Sequence, residues 1–365
     1  MTKTVLISGA GVAGPTLAYW LARRGLRPTV VERARGQRSS GNPVDVRGPA
    51  LPVAAAMGVV PRLREHATRA TAIRLVDGTG RPLARISLST NPDDIEIPRA
   101  DLARVLFEAA KDHAEFRFGD TIAALDQDAG GVAVTFTSGI QERFDLVVGA
   151  DGLHSTVRGL AFGPEHDFVR HLGVFVATLP AGERARSTDV LMYNIPGRLV
   201  SIHPSRGDAL LAFIFRGPAA RDFDHRDTEQ HRRVLLAAYG HAGWRVPELL
   251  DKVRETPELY FDSVSRVRLA SWSRGRVALV GDAASCVSLF GEGSSMAIAG
   301  AKTLADALAS EPGHTAAFRR YETEHRTRTA PKQRFAGRAA SLIVPKTRLG
   351  IRTRNLTARV LLTRR

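Results

Sequence analysis

Cysteine is nearly absent from this 365-residue chain, and Cys286 is the only one. No intrachain disulfide can form, so a reducing cytoplasm is the expected compartment. Long apolar runs are missing too; none approaches the roughly 18 residues that cross a bilayer. The apolar N-terminal stretch is broken at once by glycines and is needed as a strand, so it is not expected to act as a signal peptide. Repeats at solenoid periods and low-complexity tracts are also absent. The 11 histidines have no metal-ligand spacing, so no metal is expected, and no Ser-His-Asp arrangement can be argued. His225, His231 and His241 read as surface residues. Acids fail in one region only. From Pro312 onward there are 14 Lys and Arg against 2 Asp and Glu, so residues 1–311 carry only +3 of the net +15. What remains is globular, at 44% hydrophobic and 24% charged, and long enough for two domains.

The most informative stretch is Thr4–Glu32. Thr4-Val5-Leu6-Ile7-Ser8 is a short β-branched apolar run, which reads as a buried parallel strand. Gly9-Ala10-Gly11-Val12-Ala13-Gly14 supplies G-x-G-x-x-G, and Pro15 suits a first helical turn. A helix over Thr16–Arg24 should end at Gly25, and Thr29-Val30-Val31 forms a second strand closed by Glu32. The glycines permit a tight turn and close approach of backbone to a pyrophosphate, which the helix N-terminus favours. Glu32 is spaced to accept from ribose hydroxyls. These parts in this order predict an adenine-dinucleotide site, with NAD and FAD both open at this point. Arg33 and Arg35 follow; either can lie over adenine, pair with phosphate or remain a solvated loop charge.

Further along, Leu51–Ala67 reads as helical with a break at Met57-Gly58, and 73–77 with 83–88 as a hairpin. Phe144–Arg158 and Arg276–Ala284 are each a buried strand running into a glycine turn. Between them, from about His171 to Ser271, strands follow one another with little helix, which predicts an antiparallel sheet in a second domain. Arg216 reads as a sheet-edge surface charge. Pro331 and Pro345 read as breaks in a helical, Arg-rich C-terminal segment.

Three segments, GAGVAG with Glu32, DLVVGADGLHSTVR (Asp145–Arg158) and RVALVGDAA (Arg276–Ala284), together resemble the signature set of single-component FAD-dependent aromatic hydroxylases. This is the monooxygenase family that includes 4-hydroxybenzoate hydroxylase, and Asp45 in VDV with Arg99 in IPRADL is most similar to its tetracycline-inactivating members. The resemblance runs from the first strand to about Arg326. It implies an α/β fold: a Rossmann-like FAD-binding domain (1–170 with 272–310), an inserted antiparallel-sheet substrate domain (171–271) and basic C-terminal helices (311–365). It implies resident FAD, NADPH or NADH as transient reductant, O2, and hydroxylation of an aromatic or polycyclic small molecule, an antibiotic-like polyketide among the candidates, through a flavin C4a-hydroperoxide. Gly9, Gly11, Val12, Ala13 and Gly14 would admit the pyrophosphate, and Glu32 and Arg33 would hold the adenosine. Asp45 and Val46 would sit beside the isoalloxazine, Arg99 at the ribityl or flavin region, and Gly281-Asp282 at the ribityl chain. Asp151 and Gly152 belong to a motif credited with both FAD and NAD(P)H contacts. The helix start at Gly291-Glu292-Gly293-Ser294 would face the flavin pyrimidine; its backbone and Asp45 are the groups nearest the chemistry.

One departure keeps other readings open. Where the family carries a His and a Pro after the Gly-Asp pair, this chain has Ala284-Ser285-Cys286-Val287-Ser288-Leu289-Phe290. An FAD oxidoreductase without oxygen insertion, or a non-catalytic flavin-binding protein, is therefore carried alongside, and Cys286 is taken as a packed small hydrophobe. The tail has three readings. The one adopted is a helix packed by Leu349, Leu356 and Val360 with its arginines outward. A membrane-surface helix is the second. Nucleic-acid binding is the third, disfavoured because no aromatics interleave with the charges. A monomer or weak dimer is expected.

Overall fold

In the computed structural model, residues 3–36, 43–68, 70–88, 91–218, 224–257, 259–286 and 292–362 are described, with backbone alone at 336, 338 and 358–362. Val5, Leu6 and Ile7 are fully buried because their strand, Thr4–Ser8, has parallel neighbours on both sides, Arg27–Glu32 and Leu146–Gly149. The sheet extends to Glu115–Phe118 beyond the first neighbour and to Val277–Leu279 beyond the second, both parallel, with Ser273–Arg274 as an antiparallel edge. The helix Ala13–Arg23 makes the crossover and buries Leu17, Ala18 and Leu21. Because the chain leaves Thr4–Ser8 toward one side and returns on the other, a crevice opens at the carboxyl ends of the central strands, where α/β sheets bind ligands.

The second large sheet has seven strands in the order Tyr260–Val267, Val169–Arg184, Asp208–Arg216, Arg198–His203, Asp189–Ile195, Ala72–Val76 and Pro82–Ser87. All pairs are antiparallel except Asp189–Ile195 with Ala72–Val76. The hairpin at 72–87 thus belongs to this sheet and is separated from the first one. Helices Thr228–Tyr239 and Val246–Glu255 cover the sheet's outer face and bury Leu235, Leu249 and Val253. The second of these has apolar residues at Val246, Leu249, Leu250 and Val253, a helical spacing present in the sequence. Pro43–Val46 pairs with Ile95–Pro98 as a small ribbon between the large sheets. The expected break at Met57-Gly58 separates Ala50–Ala56 from Val60–His66, with Gly58 at φ +71°.

Two expectations for the C-terminal segment are corrected. Pro331 lies inside one continuous helix, His314–Ile343. Tertiary contacts flank it on both sides: Arg326 donates to Leu269 O (2.8 Å), and Gln333 donates to Val267 O (2.9 Å) and Cys286 O (3.2 Å). Leu349 and Leu356 do not pack inward; they are 74% and 61% exposed. The final helix, Arg348–Leu362, instead rests on the edge strand Pro82–Ser87, and its Arg354 donates to Asn194 Oδ1 at 2.9 Å. Val360's side chain lies outside the described residues. Arg216 is not a surface charge either, since it donates to Val344 O (2.8 Å) and Ala340 O (3.1 Å) and so satisfies carbonyls at the end of the long helix. Among the described residues no helix is long and apolar enough to cross a membrane.

Arg158 ties the segments together. Its side chain is fully buried and donates to Leu153 O (2.6 Å), Ala283 O (3.2 Å) and Glu165 Oε2 (3.1 Å). Arg158→Met removes these donors and leaves two buried carbonyls unsatisfied, so it should lower stability by roughly 2–4 kcal/mol in urea denaturation. A loss below about 0.5 kcal/mol would contradict this account.

Candidate active site

The glycine turn is built by close approach. Gly9 has φ +107°, and a Cβ there would lie 2.6 Å from Ala150 O; one on Gly14 would lie 1.9 Å from Gly9 O. Only hydrogen fits at both. Gly11 differs, because nothing lies within 4 Å of its would-be Cβ, and it faces open space. Glu32 is turned toward this loop: Oε2 accepts from Ala10 N and Oε1 from Ala34 N, each at 2.9 Å. Each oxygen keeps a lone pair for a ligand hydroxyl. Open backbone at Gly11, the first turn of a helix and an oriented carboxylate fit the pyrophosphate and ribose of FAD.

The other motif segments end at the same crevice. Asp151 accepts from Ser155 Oγ (2.5 Å), Val157 N (3.1 Å) and Ser8 Oγ (3.5 Å), and burial raises its carboxyl above the usual range. It is thereby tied to the start of the helix Thr156–Phe162. Gly152 follows at φ +80°. Gly281, at φ +64°, lets the third strand end pass close to the glycine-turn helix; a Cβ there would meet Ala13 Cβ at 3.1 Å. Asp282 opens the short helix Asp282–Ser285, and burial raises its pKa while the Arg99 guanidinium offsets part of the shift.

A fourth group gathers around Asp45. Ser295 Oγ donates to Asp45 O (2.7 Å) and accepts from Arg47 N (3.0 Å), which fastens the start of the helix Glu292–Ser310 to the small ribbon. Arg47 Nη2 pairs with Glu292 (2.9 Å) and Asp45 (3.4 Å), and Lys332 of the long helix pairs with Glu292 (2.5 Å). Burial pushes the Asp45 carboxyl up to about 6; Arg47 pulls against it, and Glu96, Asp94 and Glu292 add to it.

All four groups border one cavity of 1830 Å³. Gly9, Gly11, Val12, Ala13, Glu32 and Arg33 form one end of its wall. Asp45, Arg99, Asp151, Gly152, Asp282, Gly293 and Ser294 form the middle. Gly14, Val46 and Gly281 stand behind the wall, with Val46 fully buried in the core. Gly291 lies outside the described residues, as does Val287–Phe290; Cys286 is buried. The far end is the inner face of the seven-stranded sheet, with Leu75, Val176, Met192, Leu199 and Ile214.

Sequence reasoning gave no role to a charged cluster on the same wall. His154 Nδ1 lies 2.9 Å from Glu165 Oε1 and its Nε2 3.4 Å from Asp262 Oδ1. Burial alone would lower its pKa, but the hydrogen-bonded Asp262 and Glu165 carboxylates outweigh this and raise it to about 9. His225 stacks on it, with ring centroids 3.9 Å apart, and burial with the neighbouring His154 lowers its pKa. His225 is half-buried, and His231 is buried and stacked on Phe261, so neither ring is the surface residue expected. Glu165 lies 11 residues downstream but Asp262 comes from a distant strand, and only the presence of His154 inside the second motif signalled the cluster.

A family model described as "FAD binding domain" matches residues 2–339. A flavin-dependent monooxygenase of Legionella longbeachae is 34% identical over 340 residues, spanning 91% of this chain and 87% of that one. The chain belongs to the FAD-dependent monooxygenases. Its fold and its FAD cofactor are those of this family. An uncharacterised protein of Mycobacterium tuberculosis is 41% identical over 334 residues, covering 88% of this chain and 89% of its own. The crystal structure of tetracycline destructase Tet(51) superposes with a TM-score of 0.87 at 32% identity, covering 98% of this chain and 96% of that one. HpxO of Klebsiella pneumoniae, solved with FAD and uric acid, shares the fold at a TM-score of 0.78 and 22% identity.

The His154 cluster predicts a pH signature for this monooxygenase. Its folded pKa lies above the unfolded value near 6.5, so its stabilisation is full below that value and fades as pH rises through about 9. Between pH 7 and 9.5 the wild-type chain should lose about 1–2 kcal/mol more than His154→Gln, measured by denaturant unfolding at each pH. Parallel pH curves for the two proteins would refute the assignment.

Proposed function

We propose that this monooxygenase hydroxylates a fused-ring aromatic molecule of the tetracycline-like class, with NADPH or NADH as reductant and O2 as co-substrate. The observation that carries the reading is the continuity of the cavity from the glycine turn and Glu32 to an apolar sheet face. One end is suited to a dinucleotide and the other to a flat apolar ring system. The likeness to Tet(51) supports that substrate class.

FAD would carry reducing equivalents from the nicotinamide to oxygen and substrate, and the hard chemistry is the cofactor's. The chain's own residues bind and orient. In this reading the backbone of Gly9–Gly14 takes the pyrophosphate, and Glu32 with Arg33 holds the adenosine end. Asp282 accepts from ribityl hydroxyls, and the Arg99 guanidinium offsets part of the burial penalty on that carboxylate. The N-terminal amides at Gly293 and Ser294 stabilise negative charge, because free N–H groups there have no intrahelical acceptor. Asp45, poised near 6, holds or releases a proton at its carboxylate near neutral pH. The sheet excludes water from the apolar end. We assign the segments 1–170 and 272–310 to cofactor binding and 171–271 to substrate, with the 72–87 hairpin added to the substrate side, and we place the enzyme in the cytoplasm.

The purified protein should be yellow, and Gly11→Val and Asp282→Ala should each lower FAD content at least tenfold. Normal flavin content in both would sink the site map. With NADPH or NADH, fused-ring phenols should stimulate oxygen uptake several-fold over the substrate-free rate. A panel that leaves uptake unchanged, while the flavin is still reduced, would favour a reductase.

A further inference from the structure

The C-terminal helix Arg348–Leu362 has two unlike faces. Its inner face is set by Gly350, Ile351, Arg354 and Asn355, which are half-buried against the body of the protein. Arg354 reaches Asn194 Oδ1 and the carbonyls of Leu342 and Ile343, so the helix is locked in one rotation. That rotation leaves Leu349 and Leu356, two helical turns apart, pointing to solvent. Phe335 (50% exposed) and Leu342 (53%) on the preceding helix add to the same C-terminal region. Among the described residues six large hydrophobics are exposed, and these are four of them. The patch is therefore a concentration of apolar surface, not the usual scatter.

Charge identifies what it faces. After Glu324 the chain has no acid, while Lys346, Arg348 and Arg352 are exposed beside the leucines. A second copy of the chain would bring the same positive field against itself. A nucleic acid would satisfy the arginines but would lay phosphates against leucines, and the final helix has no aromatic side chain for bases to stack on. An anionic lipid surface satisfies both, since leucines enter the acyl boundary while arginines stay at the headgroups.

We propose that the outer face of Arg348–Leu362, with Phe335 and Leu342, docks the protein peripherally on an anionic bilayer. Lys346, Arg348 and Arg352 supply the electrostatic attraction, and Leu349 and Leu356 the insertion. Phe335, Leu342 and Thr353 also line the cavity, so its mouth opens beside this face. Resting on the reading that the cavity takes an apolar ring system, such a substrate would enter from the membrane side.

Flotation of the full-length protein with vesicles tests the docking without any substrate, and so independently of the activity. In 0.1 M salt the protein should float with phosphatidylglycerol/phosphatidylcholine vesicles and not with phosphatidylcholine alone, and 0.5 M salt should release it. Arg348→Gln with Arg352→Gln should weaken binding by about fivefold per charge. Leu349→Glu with Leu356→Glu should abolish it while leaving the thermal melt unchanged, because both side chains are solvent-exposed. Absence of binding to the anionic vesicles, or equal binding by the Leu→Glu pair, overturns the proposal. So does a dimer by size exclusion that the Leu→Glu pair converts to monomer, or RNA binding that the pair leaves intact without any lipid binding.

Discussion

The site depends on one buried guanidinium. Arg158 comes from the second motif, yet one of its hydrogen bonds lands on Ala283, immediately after the third motif's Asp282. The glycine turn closes the same assembly from the other side, where Gly9 is pressed against Ala150 and Gly281 against Ala13. Three stretches far apart in sequence are thus fixed relative to one another by contacts that tolerate no added side-chain atom and no lost donor. The carboxylates of Glu32, Asp151 and Asp282 inherit their positions from this frame.

Around that frame the electrostatics divide by burial. At Asp120 burial pushes the carboxyl up, but donors from Ser138, Thr137 and Thr121 outweigh it and the pKa falls to about 2. Where burial dominates, as at Asp45, the proton is held to about 6. The Arg47–Glu292–Lys332 chain couples the ribbon carrying Asp45 to the long C-terminal helix, so the polar middle of the cavity is braced from outside the first sheet.

The parts of the site legible in the sequence were those encoded locally. Strand, glycine turn, helix and acid follow one another within Thr4–Glu32, and each has a backbone reason to be what it is. Asp282 after its buried strand was readable for the same reason. Features that depend on distant partners were not. The hairpin of 73–77 with 83–88 was legible, but nothing local says that its first strand pairs with Asp189–Ile195. Arg216 looked like an edge charge because its acceptors lie on a helix over a hundred residues later. Leu349 and Leu356 fell at helical spacing, but which face of a helix turns inward is decided by the surface it meets. His154 is held between Glu165, 11 residues on, and Asp262, which only the folded chain brings to it.

The pairing of Ala72–Val76 with Asp189–Ile195, and of Leu146–Gly149 with Val277–Leu279, has a consequence for how the molecule is made. Neither sheet can be completed from a contiguous early segment. The first sheet waits for a strand that leaves the ribosome after the whole second sheet has been synthesised. Loop closure of that length is entropically costly and slow. The nascent chain therefore spends much of its synthesis with unpaired apolar strand edges, a period in which chaperone capture or aggregation competes with folding.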